Sequence, residues 1–429
     1  MISRRAFLAA SAAGALSGAE RDRYGGWNSI RANATGYFRV EEIRGRWYLI
    51  TPEGNGYIAI GANHIGAYLR SAEQSGPLLK RAGESGDKAL ALLIGEMKSL
   101  GLTAGEAYAP LHAKLGRLFP RIENINYPTP SKFEFDVFDP AVVSKIHDHT
   151  VSACRAFASD PWVIGVAFAD QPVWDSRRVD HHRNLAPTSP GRTRYAEFLR
   201  SRYTDAAACN AAYGTAFSSL TPEEDFKSID AKKPAVKADD EAFLGIIADR
   251  LYGELKAATR KGAPNHLFLG ERFVVRQAPS EVIRAVGRHV DIHCTQALIL
   301  SPQRPPEWQV FQADGYRTTY AQIGQKPVIV IDWAAPFSLD TTYETERGVI
   351  KSEAESGDDA AAWIRAAFEE PYLVGLFTCQ LAGRHGNDRW FPEGRMKRTL
   401  LRDDGTPFPQ RTQRIADAQK AVLRRVFGP

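Results

Sequence analysis

Cysteine is scarce in this chain. Four residues in 429, Cys154, Cys209, Cys294 and Cys379, lie far apart and show no CxxC spacing. That excludes a thiolate metal cage and a small disulfide-stapled scaffold. Cys294 and Cys379 sit in strand-like runs, so buried free thiols are expected. Beyond the first twenty residues no apolar run approaches the ~20 residues that a membrane-spanning helix needs. Charge of one sign is also lacking: 55 Lys and Arg stand against 50 Asp and Glu, a formal net charge of +5. Such a balance gives no argument for a nucleic-acid or membrane partner. No HxH pair follows the first predicted strand, so the ligand cluster of a metal-dependent barrel hydrolase is missing. No metal and no cofactor is expected, and no short repeat or low-complexity tract appears.

The N-terminus carries a specific pattern. Ser3-Arg4-Arg5-Ala6-Phe7-Leu8 leads into small apolar residues up to Ala19. Paired arginines, a short apolar region and a small-residue cleavage site together predict a twin-arginine export signal over 1–19. The expected location is periplasmic or secreted. Residues 20–429 then read as one domain.

The organising stretch is Pro161 to Asp175. Val163 to Phe168 is apolar, β-branched and without a helical stripe, which predicts a strand buried on both faces. It stops at Asp170-Gln171-Pro172, since Pro172 cannot continue a central strand. The same pattern recurs along the chain. Strands are predicted at Tyr57 to Gly61, Leu102 to Ala104, Arg117 to Ile122, Leu267 to Gly270, Val290 to Cys294, Val328 to Ile331 and Leu373 to Cys379. Between them lie helical patterns at Asp87 to Leu100, Pro140 to Ala158, 193–213, Glu241 to Thr259, Pro279 to Gly287, Trp308 to Ile323, Asp358 to Glu369 and Thr412 to Val426. Residues 176–192, with His181 and His182, read as a long loop, and 228–240 as an exposed insertion. Tyr37 to Val40 and Trp47 to Ile50 flank Arg44-Gly45-Arg46 as a hairpin within about 36–55. Eight strands alternating with helices predict an α/β chain with the (β/α)8 TIM barrel fold and a small N-terminal β-hairpin extension.

In such a barrel the strand ends converge on one mouth. That mouth would hold Asn63, His64, Glu106, Asp170, Gln171, Glu271, Arg272, Gln296, Asp332, Trp333 and Gln380, with Trp174 and Trp390 on adjacent loops. Amides and acids hold hydroxyls, and indole faces stack on sugar rings. An oligo- or polysaccharide is therefore the expected partner. Each residue also has a bland role open to it: a strand-end Asp often caps the next helix, and a Trp is usually packing.

The chain resembles the β-agarases of glycoside hydrolase family 50 and the wider clan of retaining glycosidases on (β/α)8 barrels. The likeness runs from about Gly36 to Arg425. It is carried by Gly45-Arg46-Trp47-Tyr48-Leu49-Ile50-Thr51-Pro52-Glu53-Gly54, Phe135-Asp136-Val137-Phe138-Asp139-Pro140 and Asp160-Pro161-Trp162-Val163-Ile164-Gly165. Arg202-Tyr203, Asn210 to Thr215, Gly270-Glu271-Arg272-Phe273 and Lys326-Pro327-Val328-Ile329-Val330 add to it. The resemblance implies hydrolysis of an agar-like galactan. The departures fall on the catalytic positions. Where such enzymes carry Asp-Asn-Glu after strand four, this chain has Asp170-Gln171-Pro172. Where they keep a nucleophilic Glu after strand seven, Asp332 stands. Arg272 matches the family's arginine after strand five, while Glu271 is an added acid.

Glycoside hydrolysis needs two carboxyls across the scissile bond, about 5–5.5 Å apart for retention and roughly 6.5–9.5 Å for inversion. The catalytic candidates are Asp332 with Asp170 or Glu271 as its partner. The shorter Asp332 side chain would widen that gap. Arg272 can instead hold Glu271 in a structural pair. A carbohydrate-binding protein on a hydrolase-derived barrel, without catalysis, is the alternative.

Overall fold

The computed structural model describes residues 20–70, 72–107, 110–129, 134–275, 277–297, 310–339, 341–345, 348–382 and 396–428. Residues 1–19, and with them the predicted export signal, lie outside these, as does Trp390.

The N-terminal hairpin is part of something larger. β1 (Trp27–Arg31), β2 (Arg39–Ile43), β3 (Arg46–Ile50) and β4 (Asn55–Tyr57) form an antiparallel sheet in the order β1-β4-β3-β2. β2 and β3 are the expected hairpin, turning at Arg44 and Gly45, both with positive φ. The single strand expected over Tyr57 to Gly61 is split. Its first residues close the antiparallel sheet, and β5 (Ala59–Ala62) opens a parallel one.

That parallel sheet has seven strands. β6 (Arg121–Asn124), β7 (Val163–Asp170), β8 (Leu267–Val274), β9 (His293–Gln296) and β10 (Val328–Trp333) follow in chain order. Two small ribbons come next: β11 (Phe337–Ser338) pairs with β15 (Met396–Lys397), and β12 (Tyr343–Thr345) pairs with β13 (Gly348–Ile350). β14 (Leu373–Thr378) completes the sheet, whose order is β5-β14-β10-β9-β8-β7-β6. Its strands are apolar on both faces because helices cover one face and the curled sheet itself fills the other. Val163, Val166 and Phe168 pack toward one core cluster, and Ile164 and Ala167 toward the second.

Between the two edge strands runs the segment 102–106, expected as a strand. It is extended chain rather than a regular strand, yet it hydrogen-bonds both ways. Thr103 N and Ala104 N donate to Ile60 O, while Gly105 N donates to Pro120 O and Ile122 N to Glu106 O. Gly61 permits this close approach, since a Cβ there would stand 2.7 Å from Gly105 O. Thr103 Oγ1 further donates to Ile58 O at 2.8 Å and accepts from Ile60 N at 2.8 Å.

Helix starts follow the capping signals. Asp139 accepts from Ala141 N at 2.8 Å ahead of Pro140, as the sequence predicts. Three expectations need correction. Residues 176–192 are not one loop: Ser176–Arg183 is helical, capped by Asp175, and Pro190–Arg202 begins before 193. The helix expected over 193–213 breaks at Asp205, which caps Ala206–Tyr213 by accepting from Ala208 N at 2.8 Å. The insertion expected over 228–240 instead contains the start of the long helix Pro234–Gly262. Its Asp239 and Asp240 are buried because Tyr203, Tyr213 and Arg183 receive them. Paired acids read as surface when their partners are distant in sequence.

Candidate active site

Strand alternation decides which side chains share the carboxyl ends of the sheet. Register pairs Asp170 on β7 with Arg272 on β8, and Asp332 on β10 with Gln296 on β9. Arg272 Nη2 reaches Asp170 Oδ1 at 3.5 Å. Gln296 Nε2 donates to Asp332 Oδ2 at 3.4 Å and also to Asp170 Oδ1. One amide nitrogen therefore bridges two carboxyls. Two hydrogen bonds to a shared nitrogen leave the two oxygens no more than roughly 6.5 Å apart.

The two acids differ in environment. The Asp170 side chain keeps 27% of its surface exposed, while Asp332 is 7% exposed. Burial pushes the Asp332 carboxyl up to about 6. The Cys379 thiol and the Arg272 guanidinium pull it down, nearby Asp170 pushes it up, and Arg398 pulls it down. Asp332 Oδ1 finds no hydrogen-bond partner of ordinary geometry among the described residues. The arrangement offers one carboxyl that can hold a proton near neutrality beside a second, more open one paired with arginine.

Glu271 is not brought to this group. It precedes Arg272 in β8, so it projects to the other face of the sheet. There it is fully buried with both oxygens taken. Tyr127 Oη donates to Oε1 at 2.6 Å, Trp174 Nε1 donates to Oε2 at 3.0 Å, and Tyr252 Oη donates to Oε2 as well. Burial first, then the Glu271 charge, pushes the Tyr127 and Tyr252 phenols well up. Arg178 lies over the Trp174 ring at 4.1 Å and supplies a compensating charge.

The two tryptophans expected at the mouth are a correction. Trp174 is buried in the Glu271 box, against Tyr252. Trp333 is wholly buried and packs on Trp363 of the helix Glu353–Ala367 at 5.1 Å. It follows Asp332 in β10, so it faces the helices. Neither presents an open indole face to a sugar. His182, read as part of a long loop, is also buried; burial lowers it to about 3, and its Nδ1 meets Arg178 O at 2.8 Å.

The remaining predicted residues divide. Asn63 is buried, with Nδ2 donating to Ile331 O, and belongs to the top layer inside the sheet. Glu106 accepts from His64 N at 3.0 Å and Gly66 N at 3.1 Å, holding the start of the helix Ile65–Arg70. His64 and Gln171 adopt positive φ of 65° and 47° at strand ends, and Gln171 is exposed. Gln380 is buried, and its carbonyl accepts from Leu400 N at 3.2 Å. The reading of the sequence missed Tyr127, Tyr252, Arg178, Cys379 and Arg398. Cys379 was legible, since it directly follows β14. The others come from loops and helices whose pattern carries no mark of this role.

No family model matches the chain. Among curated proteins it is similar to Beta-agarase B of Vibrio sp. (strain JT0107), 21% identical over 361 residues, which is 63% of this chain and 37% of that protein. A shorter match joins it to Beta-agarase A of the same organism, 32% identical over 117 residues, 25% of this chain and 11% of that protein. The chain thus spans little more than a third of the first relative's length and about a tenth of the second's. Solved structures share the fold. The agarase AgWH50C superposes with a TM-score of 0.78 at 18% identity, over 95% of this chain and 68% of that one. An exo-beta-agarase gives 0.77 at 19% identity, again over 95% and 68%. A β-galactosidase from the psychrophilic Marinomonas ef1 gives 0.56 at 9% identity, over 86% and 60%. The chain resembles the family 50 β-agarases in sequence and in fold.

Proposed function

We propose that this chain is a glycoside hydrolase acting on a poly- or oligosaccharide, an agar-like galactan by its resemblance, through Asp332 and Asp170. The observation that carries the reading is the Gln296 amide, which bridges the two carboxyls at the carboxyl ends of the sheet. On this reading Asp332 is the acid that protonates the leaving oxygen, because burial keeps it protonated to about 6. Asp170, paired with Arg272, is the carboxylate on the other side of the bond. The shared amide holds the two carboxyls close, and on this reading the reaction retains configuration. Glu271 serves as the anionic centre of a structural box.

The same reading takes the seven strands and the segment 102–106 as eight positions of one (β/α)8 barrel. It takes residues 20–429 as one domain, and 1–19 as a twin-arginine signal that delivers the protein to the periplasm or beyond. Changing Arg4 and Arg5 to Lys should then retain precursor in the cytoplasm; unchanged export would remove that part of the proposal.

A second reading is a carbohydrate-binding protein without catalysis. It is favoured by Pro172, which stands where the related enzymes carry their acid/base Glu, and by the near-closure of Asp332. One experiment separates the two. The wild-type chain and Asp332→Asn are offered a panel of neutral and sulfated galactans, with product anomers followed by NMR. Turnover lost in the variant supports hydrolysis, and retained anomeric configuration supports the assigned spacing. Binding without turnover in the wild type selects the second reading.

A further inference from the structure

At the far end of the sheet from the carboxyl pair lies a groove of about 550 Å³, a size that suits a small ligand. The helices Gly86–Ser99 and Pro409–Phe427 both finish near it, and the segment 102–106 begins there. Its polar lining is Arg21, Lys98, Lys420 and Arg424 against the single carboxylate Asp417. Asp417 already accepts from Gln413 Nε2 at 3.0 Å.

Many arginines elsewhere in this molecule are paired with acids, though not all. Arg183, Arg202, Arg260, Arg317 and Arg414 each meet a carboxylate. The Lys98, Lys420 and Arg424 side chains, by contrast, make no ion pair or hydrogen bond with any described residue. Arg21 is held in place: its guanidinium lies over the Trp27 ring at 4.0 Å, and Trp27 stacks on Phe427 at 5.3 Å. The Arg21 Nε is buried without a hydrogen-bond partner, and burial lowers its pKa. Helix C-termini favour cations, which accounts for Lys98 and Arg424 one at a time. It does not account for Lys420, two turns from its helix end, or for Arg21, which belongs to neither helix. Like charges gathered around a concavity repel one another until an anion enters.

We propose that this basal groove binds the anionic substituent, a sulfate ester or a carboxylate, of an oligosaccharide, as an accessory site remote from Asp332 and Asp170. The saccharide part rests on the hydrolase reading; the anion part rests on the charges alone. Hydrolysis at one end and retention of a charged segment at the other would keep the protein on a substituted polysaccharide between cleavages.

The test is calorimetry on the full chain with three probes: a sulfated galactan oligosaccharide, its desulfated counterpart and inorganic sulfate. The sulfated probe should bind, and raising the salt from about 0.05 M to about 0.5 M should weaken it strongly. The double variant Lys420→Glu/Arg424→Glu should lose about tenfold or more in affinity, with an unchanged melting curve. All titrations are run in the Asp332→Asn background, so that no probe is cleaved, and the groove is read as the difference between that chain and the same chain carrying Lys420→Glu/Arg424→Glu. A desulfated probe whose binding falls in Lys420→Glu/Arg424→Glu as much as that of the sulfated probe overturns the proposal, as does a double variant that binds the sulfated probe like the parent. Inorganic sulfate binding as tightly as the oligosaccharide overturns the saccharide part.

Discussion

Two buried acids, Asp332 and Glu271, lie on neighbouring regions of one sheet and are solved in opposite ways. Glu271 has both oxygens occupied by Tyr127, Tyr252 and Trp174, with Arg178 close by. A carboxyl so provided has its hydrogen-bonding capacity used within the fold. Asp332 has only a long bond from Gln296 and the weakly donating Cys379 thiol, leaves Oδ1 without an ordinary partner, and is raised by burial to about 6. Under-provision of a buried acid costs stability and leaves reactivity, which is the pattern of a functional site. Burial alone does not separate the two; the count of donors does.

The sharpest break of that contrast is Asp332→Asn. Removing the charge and proton while keeping the shape should lower turnover about a thousandfold, or roughly 4 kcal/mol in the barrier, with no loss in melting temperature. Near-parental kcat would move the chemistry elsewhere.

On the other side of the sheet, Trp333→Ala empties a site packed on Trp363 and should cost about 4 kcal/mol of stability. Denaturant melts measure this. A variant that melts like the parent but loses sugar binding would return Trp333 to the mouth.

Glu271→Gln strands Arg178 beside a neutral amide and forces a donor against Tyr or Trp donors. A loss of about 3 kcal/mol is expected, with activity per folded molecule within a few-fold of the parent. Loss of activity in a fully folded Glu271→Gln protein would make it catalytic after all.

The smallest effect is on pH. Asp332 is raised in the folded chain, from an ordinary carboxyl value to about 6. The folded state therefore holds its proton more tightly than the unfolded chain. That contribution is fully present below about pH 4 and is lost as pH rises through about 6, worth at most roughly 3 kcal/mol. Asp240, which burial raises to about 6 against the pull of Arg183, acts in the same direction. Comparing the parent with Asp332→Asn across pH 4 to 8 isolates the Asp332 part. Identical pH profiles of stability would show that its carboxyl is not raised.

Much of the architecture was legible because parallel strands buried on both faces read as apolar runs, and helices announce their starts. Val163 to Phe168 and Asp139-Pro140 are such places. The segment 102–106 was legible as extended chain but not as an edge-to-edge bridge, since its bonds to Ile60, Pro120 and Ile122 depend on closure of the sheet. The loop expected over 176–192 failed because Arg178, His182 and Arg183 look solvent-seeking in isolation; their partners Glu271, Phe138 and Asp240 arrive from elsewhere.

The sequence by itself determined most of the alternation of strands and helices, and that Asp170, Gln296 and Asp332 stand at carboxyl ends of strands. These follow from local periodicity and capping, which act over a few residues. Only the tertiary structure decided which acid is under-provided. Facing direction reverses with each residue of a strand, so Glu271 and Arg272, or Asp332 and Trp333, part company on a one-residue difference. The donors that saturate Glu271 come from positions 127, 174 and 252, brought together by folding alone.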